Sequence, residues 1–365
     1  MERYLSDCPV IPRTYRYLNK FHLNSIQSQI TFGKTMGAAL KRVKPKRYED
    51  IFTGWRKYVE SKGENPSEEW HIYLANYLIY GVLPEEYSCY GFHDLNDRQK
   101  REFVTDLSRV NIYKKCNDQN YVHFFSNKYE TYLEFKEFYQ REALLINRSC
   151  SFSQFRDFVK RHNCFVVKPL RLYLGMGIHM VDMNHVESEE KEFKRICSLG
   201  ECIIEEVIRQ SSAMSIFHPE SVNTIRIPAF MTKQGLAIRR PFFKCGCGSS
   251  VVDNGGAGGI FVGIDAESGI LITDGIDEKN HRYIVHPDSQ IRFKGYQLPE
   301  WEHVPTLINA CMKIIPQVKY VGWDLAHTDQ GWVIVEGNHT GQFVGQQMPL
   351  KQGCAREIEQ ILERM

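Results

Sequence analysis

Three residues near the C-terminal end combine types and spacing that can do chemistry. Asp324, Glu336 and Asn338 lie in YVGWDLAHTDQGWVIVEGN (320–338), where two apolar runs flank the turn signal DQG. This pattern predicts a β-hairpin. With its turn centred on Gln330, Asp324 falls directly opposite Glu336. Side chains alternate along strands, so Asn338, Gly322 and Ala326 share that face, while Val321, Trp323, Leu325, Val333 and Val335 make the other face apolar. Like charges directly opposite destabilise a sheet, so a cation belongs between these carboxylates. Mg²⁺ suits such donors, taking one or two carboxylates together with phosphate oxygens and water. A turn displaced by one residue would put the two acids on opposite faces.

Lys168 ends the apolar run FVVKP, and Gly175-Met176-Gly177 follows. A strand-end lysine beside a glycine turn suits a polyphosphate, since glycine lets backbone N–H groups approach it. No helix start follows the glycines, so neither the P-loop nor the dinucleotide pattern is present. Glu205, Glu206 and Val207 close the run ECIIEEV; they fit a connection that reads an adenine edge, or equally a solvated strand end. Arg226 alternates with Thr224 in SVNTIRI, behind Ser221 and Asn223, and offers its planar fork to phosphate oxygens or to a structural ion pair. The stretch DNGGAGG (253–259), with Asp253, Asn254 and Gly256, fits a substrate-facing loop or a wide hairpin connection.

The elements that position these residues follow from periodicity. Residues 1–110 read mainly as helix, with one apolar face at Trp70, Tyr73, Leu74, Tyr77 and Leu78, stopped by Gly81 and Pro84. A second helix is expected over Asp97–Val110. Asn127 suits an N-cap for a helix that begins at Lys128 and carries Tyr132, Leu133 and Phe135 on its apolar face. Short strands dominate from 163 onward: 165–169, 174–178, 201–208, 223–230, 236–243, 259–265 and 269–274, besides the hairpin. Helices are expected near 185–197, 301–315 and 353–364.

Composition bounds the function classes. The 365 residues carry a net charge of +2, which argues against a dedicated nucleic-acid surface. The basic run Lys41–Arg47 reads as a solvated loop. The eleven cysteines show no disulfide framework, and the pair in CGCG lacks the second pair that a zinc site needs. No run approaches the roughly 20 apolar residues of a membrane helix, and the N-terminal stretch holds no run of signal-peptide length. A cytoplasmic protein without membrane insertion is expected.

The order of these motifs resembles the ATP-grasp superfamily. It is most similar to the sugar-transfer-associated ATP-grasp proteins and the related alpha-L-glutamate-ligase-like and teichuronopeptide-biosynthesis groups. The matching stretches are YLIYGVLPEEY, FFSNKYETYLEF, VVKPLRLYLGMGI, IIEEVI, SVNTIRI, VVDNGGAGGIFVGID and VGWDLAHTDQGWVIVEGN, spread over residues 75–345. The resemblance implies an α+β ATP-grasp fold, with two subdomains clasping ATP behind a mainly helical N-terminal region. The expected boundaries are 1–124 helical, 125–206 small lid and 207–365 large subdomain. It further implies that Lys128, Lys168, Gly175 and Gly177 contact the nucleotide, that Glu205, Glu206 and Val207 form the adenine hinge, and that Asp324, Glu336 and Asn338 hold Mg²⁺. Arg226 would contact the transferred phosphate. Ser221, Asn223, Asp253, Asn254 and Gly256 are the substrate-binding candidates. The implied activity is ATP-dependent joining of a small-molecule carboxylate to an amine through an acyl phosphate, on an amino acid or sugar-linked substrate. The alternatives are a small-molecule kinase with the same ATP half, or a nucleotide-binding protein without catalysis.

Overall fold

The computed structural model describes residues 18, 20–67, 69–170, 177–253 and 255–365. Helix Ile26–Val43 starts behind Ser25, whose hydroxyl accepts from the Ser28 N–H at 3.1 Å while the Ser25 N–H donates to the Ser28 hydroxyl at 3.2 Å. Pro45 opens the next helix, Pro45–Ser61, at a position where its missing N–H costs nothing. Helix Trp70–Tyr80 forms where the apolar spacing predicts it, with Trp70, Tyr73, Leu74, Tyr77 and Leu78 buried, and its burial extends further around. All of it except His71 is buried, so it is a core helix rather than a surface helix with one apolar stripe. Helices Ile26–Val43 and Trp70–Tyr80 cross closely: a Cβ on Gly33 would lie 1.9 Å from the His71 carbonyl oxygen. Trp55 stacks on Tyr73 with ring centroids 4.3 Å apart. Gly81, at φ 70°, ends the core helix, and Pro84 begins another, Pro84–Cys89. The helix expected over Asp97–Val110 is split into Asp97–Lys100 and Asp106–Cys116. The Thr105 N–H donates to Ser108 Oγ at 2.8 Å and starts a fresh turn there.

The chain forms two compact units. One takes the described residues up to Lys115 together with Glu278–His281 and Gln342–Glu363; the other takes Cys116–Asp277, Arg282–Gly341 and Arg364–Met365. Helix Ala355–Leu362 therefore belongs with the helical unit.

The second unit holds two antiparallel sheets. The smaller runs β1–β4–β2–β3, from β1 (Ala143–Ile146), β2 (Cys164–Pro169), β3 (His179–Asp182) and β4 (Cys202–Glu206). Phe155, Phe158 and Ile196, from helices Phe152–Arg161 and Glu189–Ser198, pack with Phe165, Val167 and Ile204 of this sheet. The larger sheet runs β10–β9–β8–β7–β5–β11–β12, with β6 paired to β5. Its strands are β5 (Thr224–Thr232), β6 (Gly235–Ile238), β7 (Phe242–Cys245), β8 (Ile260–Gly263), β9 (Gly275–Ile276), β10 (Arg282–Tyr283), β11 (Tyr320–Thr328) and β12 (Gly331–Asn338). The expected strand 236–243 breaks in two because Arg240 adopts φ 47° just before Pro241. The stretch 269–274 forms only isolated bridges.

Helices Lys128–Tyr139 and His303–Met312 contribute Tyr132, Phe135, Val304 and Ile308 to the core of the larger sheet. Leu133, expected beside Tyr132 and Phe135, is 53% exposed. One residue beyond Tyr132, it points about 100° away around the helix. Among the described residues no helix is long and apolar enough to cross a membrane.

Candidate functional site

The hairpin places Asp324 directly opposite Glu336 by a route that differs from the expected one. The turn is the two-residue Asp329–Gln330, and beyond it Thr328 pairs with Gly331, Ala326 with Val333 and Leu325 with Ile334. The register then shifts, and Asp324 pairs with Glu336. Val335 is the extra residue of a β-bulge. The displaced turn also corrects the expected core face: by pairing Leu325 with Ile334 it brings Trp332 and Ile334, rather than Val333 and Val335, to join Val321, Trp323 and Leu325 in the apolar core.

The opposite face is polar across four strands. Asp324 pairs with Arg226 on β5, and Thr224, two residues earlier, pairs with Lys244 on β7. Arg226 grips Asp324 with both arms of its fork, Nε to Oδ1 and Nη2 to Oδ2, each at 2.6 Å. Lys244 Nζ lies 3.2 Å from Asp324 Oδ1 and 3.7 Å from Asp253 Oδ1. Asp253 also accepts from the Thr224 hydroxyl. Asn338 Nδ2 donates to Glu336 Oε1 at 2.8 Å and approaches Asp324 Oδ2 at 3.5 Å. Glycines leave room here. A Cβ on Gly322 would lie 3.3 Å from Arg226 Nη1, and one on Gly341 would lie 3.5 Å from it.

These contacts set the charge states. Burial raises the cost of ionising Asp324, but Arg226 and then Lys244 hold its carboxyl well below the usual range. Burial works against the charge on Lys244, yet Asp253 and Asp324 keep its pKa raised. Burial pushes Asp253 up, against the pull of Lys244 and the Thr224 hydrogen bond. Glu336 is exposed and, among the described residues, has no ion pair within 4 Å. Three carboxylates thus meet two cations, and the surplus negative charge sits at the open side. A divalent cation fits this donor set: Glu336 is open, Asn338 brings an amide oxygen, and each Asp324 oxygen has a second lone pair. The cation inferred from charge repulsion alone is supplied in part by the protein, through Arg226 and Lys244.

Lys128, at the start of helix Lys128–Tyr139, lies near Glu336 and Lys168, and Lys168 sits on β2 of the smaller sheet. Lys128 starts its helix behind the N-cap Asn127 and donates through Nζ to the Pro169 carbonyl at 3.1 Å. Burial lowers its pKa, with Glu336 nearby working in the opposite sense. Lys168 reaches Glu205 Oε2 at 2.9 Å. Arg141 donates to the same oxygen from Nε at 2.8 Å. Glu205, expected to face adenine, is therefore buried and spent on two cations, a correction to its solvent-facing reading. Glu206 remains half-buried, accepting from the Glu142 N–H at 3.1 Å, and Val207 follows at the strand end, also half-buried.

Burial pushes Glu205 up, but Lys168 and Arg141 outweigh it and hold the carboxyl at about 2 against an ordinary 4.5. A depressed acid contributes stability that is complete above its unfolded pKa and is lost as pH falls toward its folded one. From pH 5 to pH 3 the wild type should lose about 2 kcal/mol more than Glu205→Gln, read by urea denaturation. Parallel losses in both proteins would remove the ion triad from this account.

The remaining candidates divide. Ser221 and Asn223, expected to meet substrate, are fully buried and turned inward. Asn223 Nδ2 donates to the carbonyls of Met214 and His218, and its Oδ1 accepts from the Gly246 N–H. Ser221 Oγ contacts His218 Nδ1 at 3.0 Å, and His218 Nε2 meets the Gly248 carbonyl. They shape the loop after β7. Gly256 lies in the open turn Gly255–Ala257. Gly177 adopts φ 74° just before β3. Gly175 and Asn254 lie outside the described residues. Among the described residues no group of three or more His, Cys, Asp or Glu could hold a metal, so the CGCG cysteines gather no such partners.

Sequence reasoning missed Lys244 and Arg141. Lys244 had a signal: a lysine inside the apolar run FFKC rarely enters a strand unpaired. Arg141 had none, since Glu205 and the Ile334 and Val335 carbonyls, the partners that give it a role, are distant in sequence.

Residues 107–363 match the family described as sugar-transfer associated ATP-grasp. No curated protein matches the sequence. Among solved structures, D-alanine–D-alanine ligase from Helicobacter pylori is 12% identical with a TM-score of 0.42; the match covers 68% of this chain and 64% of that one. The enzyme of that name from Bacillus anthracis is 12% identical with a TM-score of 0.42, over 73% and 76%. A D-cycloserine synthetase is 11% identical with a TM-score of 0.41, over 78% and 82%. The chain spans less than two thirds of the Helicobacter protein, and likeness at this level does not speak to substrate or chemistry.

Proposed function

Because this chain belongs to the sugar-transfer-associated ATP-grasp family, we propose that it is an ATP- and Mg²⁺-dependent ligase that joins a small-molecule carboxylate to an amine. The observation that carries the reading is the polar face itself, where Asp324, Glu336 and Asn338 lie together beside Arg226 and Lys244.

In this reading Asp324, Glu336 and Asn338 hold the metal, which when bound neutralises charge on the nucleotide's phosphate oxygens. Lys128 and Lys168 bind the polyphosphate, and Glu206 with the Val207 backbone borders the adenine. Arg226, fixed by Asp324, presents its Nη1 side to the transferred phosphoryl group, in the space left by Gly322 and Gly341. A substrate carboxylate oxygen attacks the γ-phosphorus and ADP leaves. The amine then attacks the acyl carbon, phosphate leaves, and the amine's proton passes to solvent. Lys244 holds Asp253 and Asp324 in place, and Asp253 with Gly256 faces the substrate side. Ser221 and Asn223 act at one remove, by fixing the loop after β7. Catalysis by positioning and charge neutralisation needs no covalent nucleophile.

Calorimetric titration with a non-hydrolysable ATP analogue tests the nucleotide half. Binding is expected with Mg²⁺ and should weaken at least tenfold in EDTA. A folded protein that binds no nucleotide in either condition overturns the proposal. Product analysis then separates the chemistry: an amide with ADP supports ligation, whereas a stable phosphorylated product assigns a kinase.

A further inference from the structure

The β12 bulge decides where Glu336 points. Had the pairing beyond the turn continued unbroken, Asp324 would face Val335, and Glu336 would sit opposite Trp323 on the core side. That place has no room for a side chain. Gly337 occupies it, and even a Cβ there would lie 2.8 Å from Trp323 and 3.1 Å from Phe125. The bulge is therefore required for the carboxylate pair to form.

One side chain clamps that bulge. Arg141 Nη1 donates to the Ile334 carbonyl at 2.6 Å, and Nη2 donates to the Val335 carbonyl at 3.2 Å. Consecutive carbonyls in a regular strand point to opposite edges. The extra residue breaks that alternation, and a single guanidinium takes both oxygens. Arg141 is itself held from every side. Nε and Nη2 reach Glu205 Oε2, Nη1 also donates to the Tyr139 carbonyl at 3.3 Å, and its Cζ lies 4.3 Å from the Tyr139 ring centroid. Glu205 in turn binds Lys168.

We propose that Arg141 is the positioning residue for the carboxylate pair: by clamping the bulge it keeps Glu336 on the face of Asp324, and through Glu205 it ties that register to Lys168. The inference rests on the reading of Asp324, Glu336 and Asn338 as a cation site. Arg141 touches no reacting group; it acts through the backbone. A lysine at this position keeps the charge but lacks the planar fork that serves two carbonyls and a carboxylate together.

The test measures Mn²⁺ alone by electron paramagnetic resonance, and hydrogen exchange of the segment 331–338, in wild type, Arg141→Lys, Glu205→Gln and Glu336→Gln. Arg141→Lys should weaken Mn²⁺ binding about 10–100-fold, the usual range for a residue that supports a ligand rather than being one. Its exchange should rise within 331–338 and not elsewhere. Glu336→Gln should weaken Mn²⁺ without changing exchange, which separates a ligand from a clamp. Wild-type Mn²⁺ affinity in folded Arg141→Lys overturns the inference and leaves the cation site standing. A wild type that binds no Mn²⁺ overturns the cation reading, and unchanged exchange in Arg141→Lys then overturns the clamp as well. Should Arg141→Lys not fold, Glu205→Gln carries the test. It should weaken Mn²⁺ several-fold in the same direction, and an unchanged affinity refutes the link.

Discussion

Glu336→Gln should lose about 10²–10³-fold in turnover, the usual cost of removing one preorganised charge-stabilising contact, while its stability stays within about 0.5 kcal/mol of wild type. The asymmetry follows from position. Glu336 is exposed, so its replacement strands no buried partner. The glutamine oxygen can still accept from Asn338 Nδ2, the bond now made at 2.8 Å. What disappears is the surplus negative charge at the open side of the site. ADP release, followed with thermal melting on the same preparations, checks both halves. A variant that turns over at the wild-type rate would remove Glu336 from the metal site.

Asp324→Ala should be inactive for a second reason as well: it should destabilise the protein by about 3–5 kcal/mol, the penalty for stripping a partner from a buried ion pair. Asp324 is 2% exposed, and its loss would leave Arg226 without either of its carboxylate contacts and Lys244 with only Asp253, at 3.7 Å. Adding Arg226→Met to Asp324→Ala removes one stranded cation, so the double variant should recover part of the stability but none of the activity. Guanidinium denaturation of the three proteins reads this directly. A loss under about 1 kcal/mol in the single variant would mean that the cations find other partners, and that their pairing with Asp324 is dispensable to the fold.

Local pattern made much of the site legible. Alternation and the DQG turn were enough to bring Asp324 opposite Glu336 with Asn338 beside them, and the strand-end position of Lys168 was equally plain. The pairing came out as expected through two compensating offsets, a turn displaced toward Asp329 and an extra residue at Val335. Bulges of this kind answer to packing against Trp323 and to the reach of Arg141, neither of which periodicity encodes. Polar type misled at Ser221 and Asn223, which look solvent-facing in a list of residues but satisfy the backbone of a buried loop. It misled in the same way at Glu205, whose two cationic partners come from β2 and from the segment before β1. In the helical unit, the apolar spacing of Trp70–Tyr80 predicts the helix and its first apolar face, but helical periodicity counts positions and not neighbours; close crossing at Gly33 helps to bury the rest.

The Lys168–Glu205 pair has a bearing on selectivity. A lysine left bare would collect any anion the solvent offers. Here it carries a resident competitor, a carboxylate on the adjacent strand at 2.9 Å, present at the high effective concentration that an intramolecular partner enjoys. A visiting anion must displace that competitor or share the ammonium with it. On the proposed reading, chloride and single carboxylates would bring too little charge to do so, whereas a polyphosphate engaging several groups at once would recover the cost elsewhere. If Lys168 binds the nucleotide as proposed, the pair would act as an admission threshold, trading affinity at one contact for discrimination against the small anions that crowd any aqueous compartment.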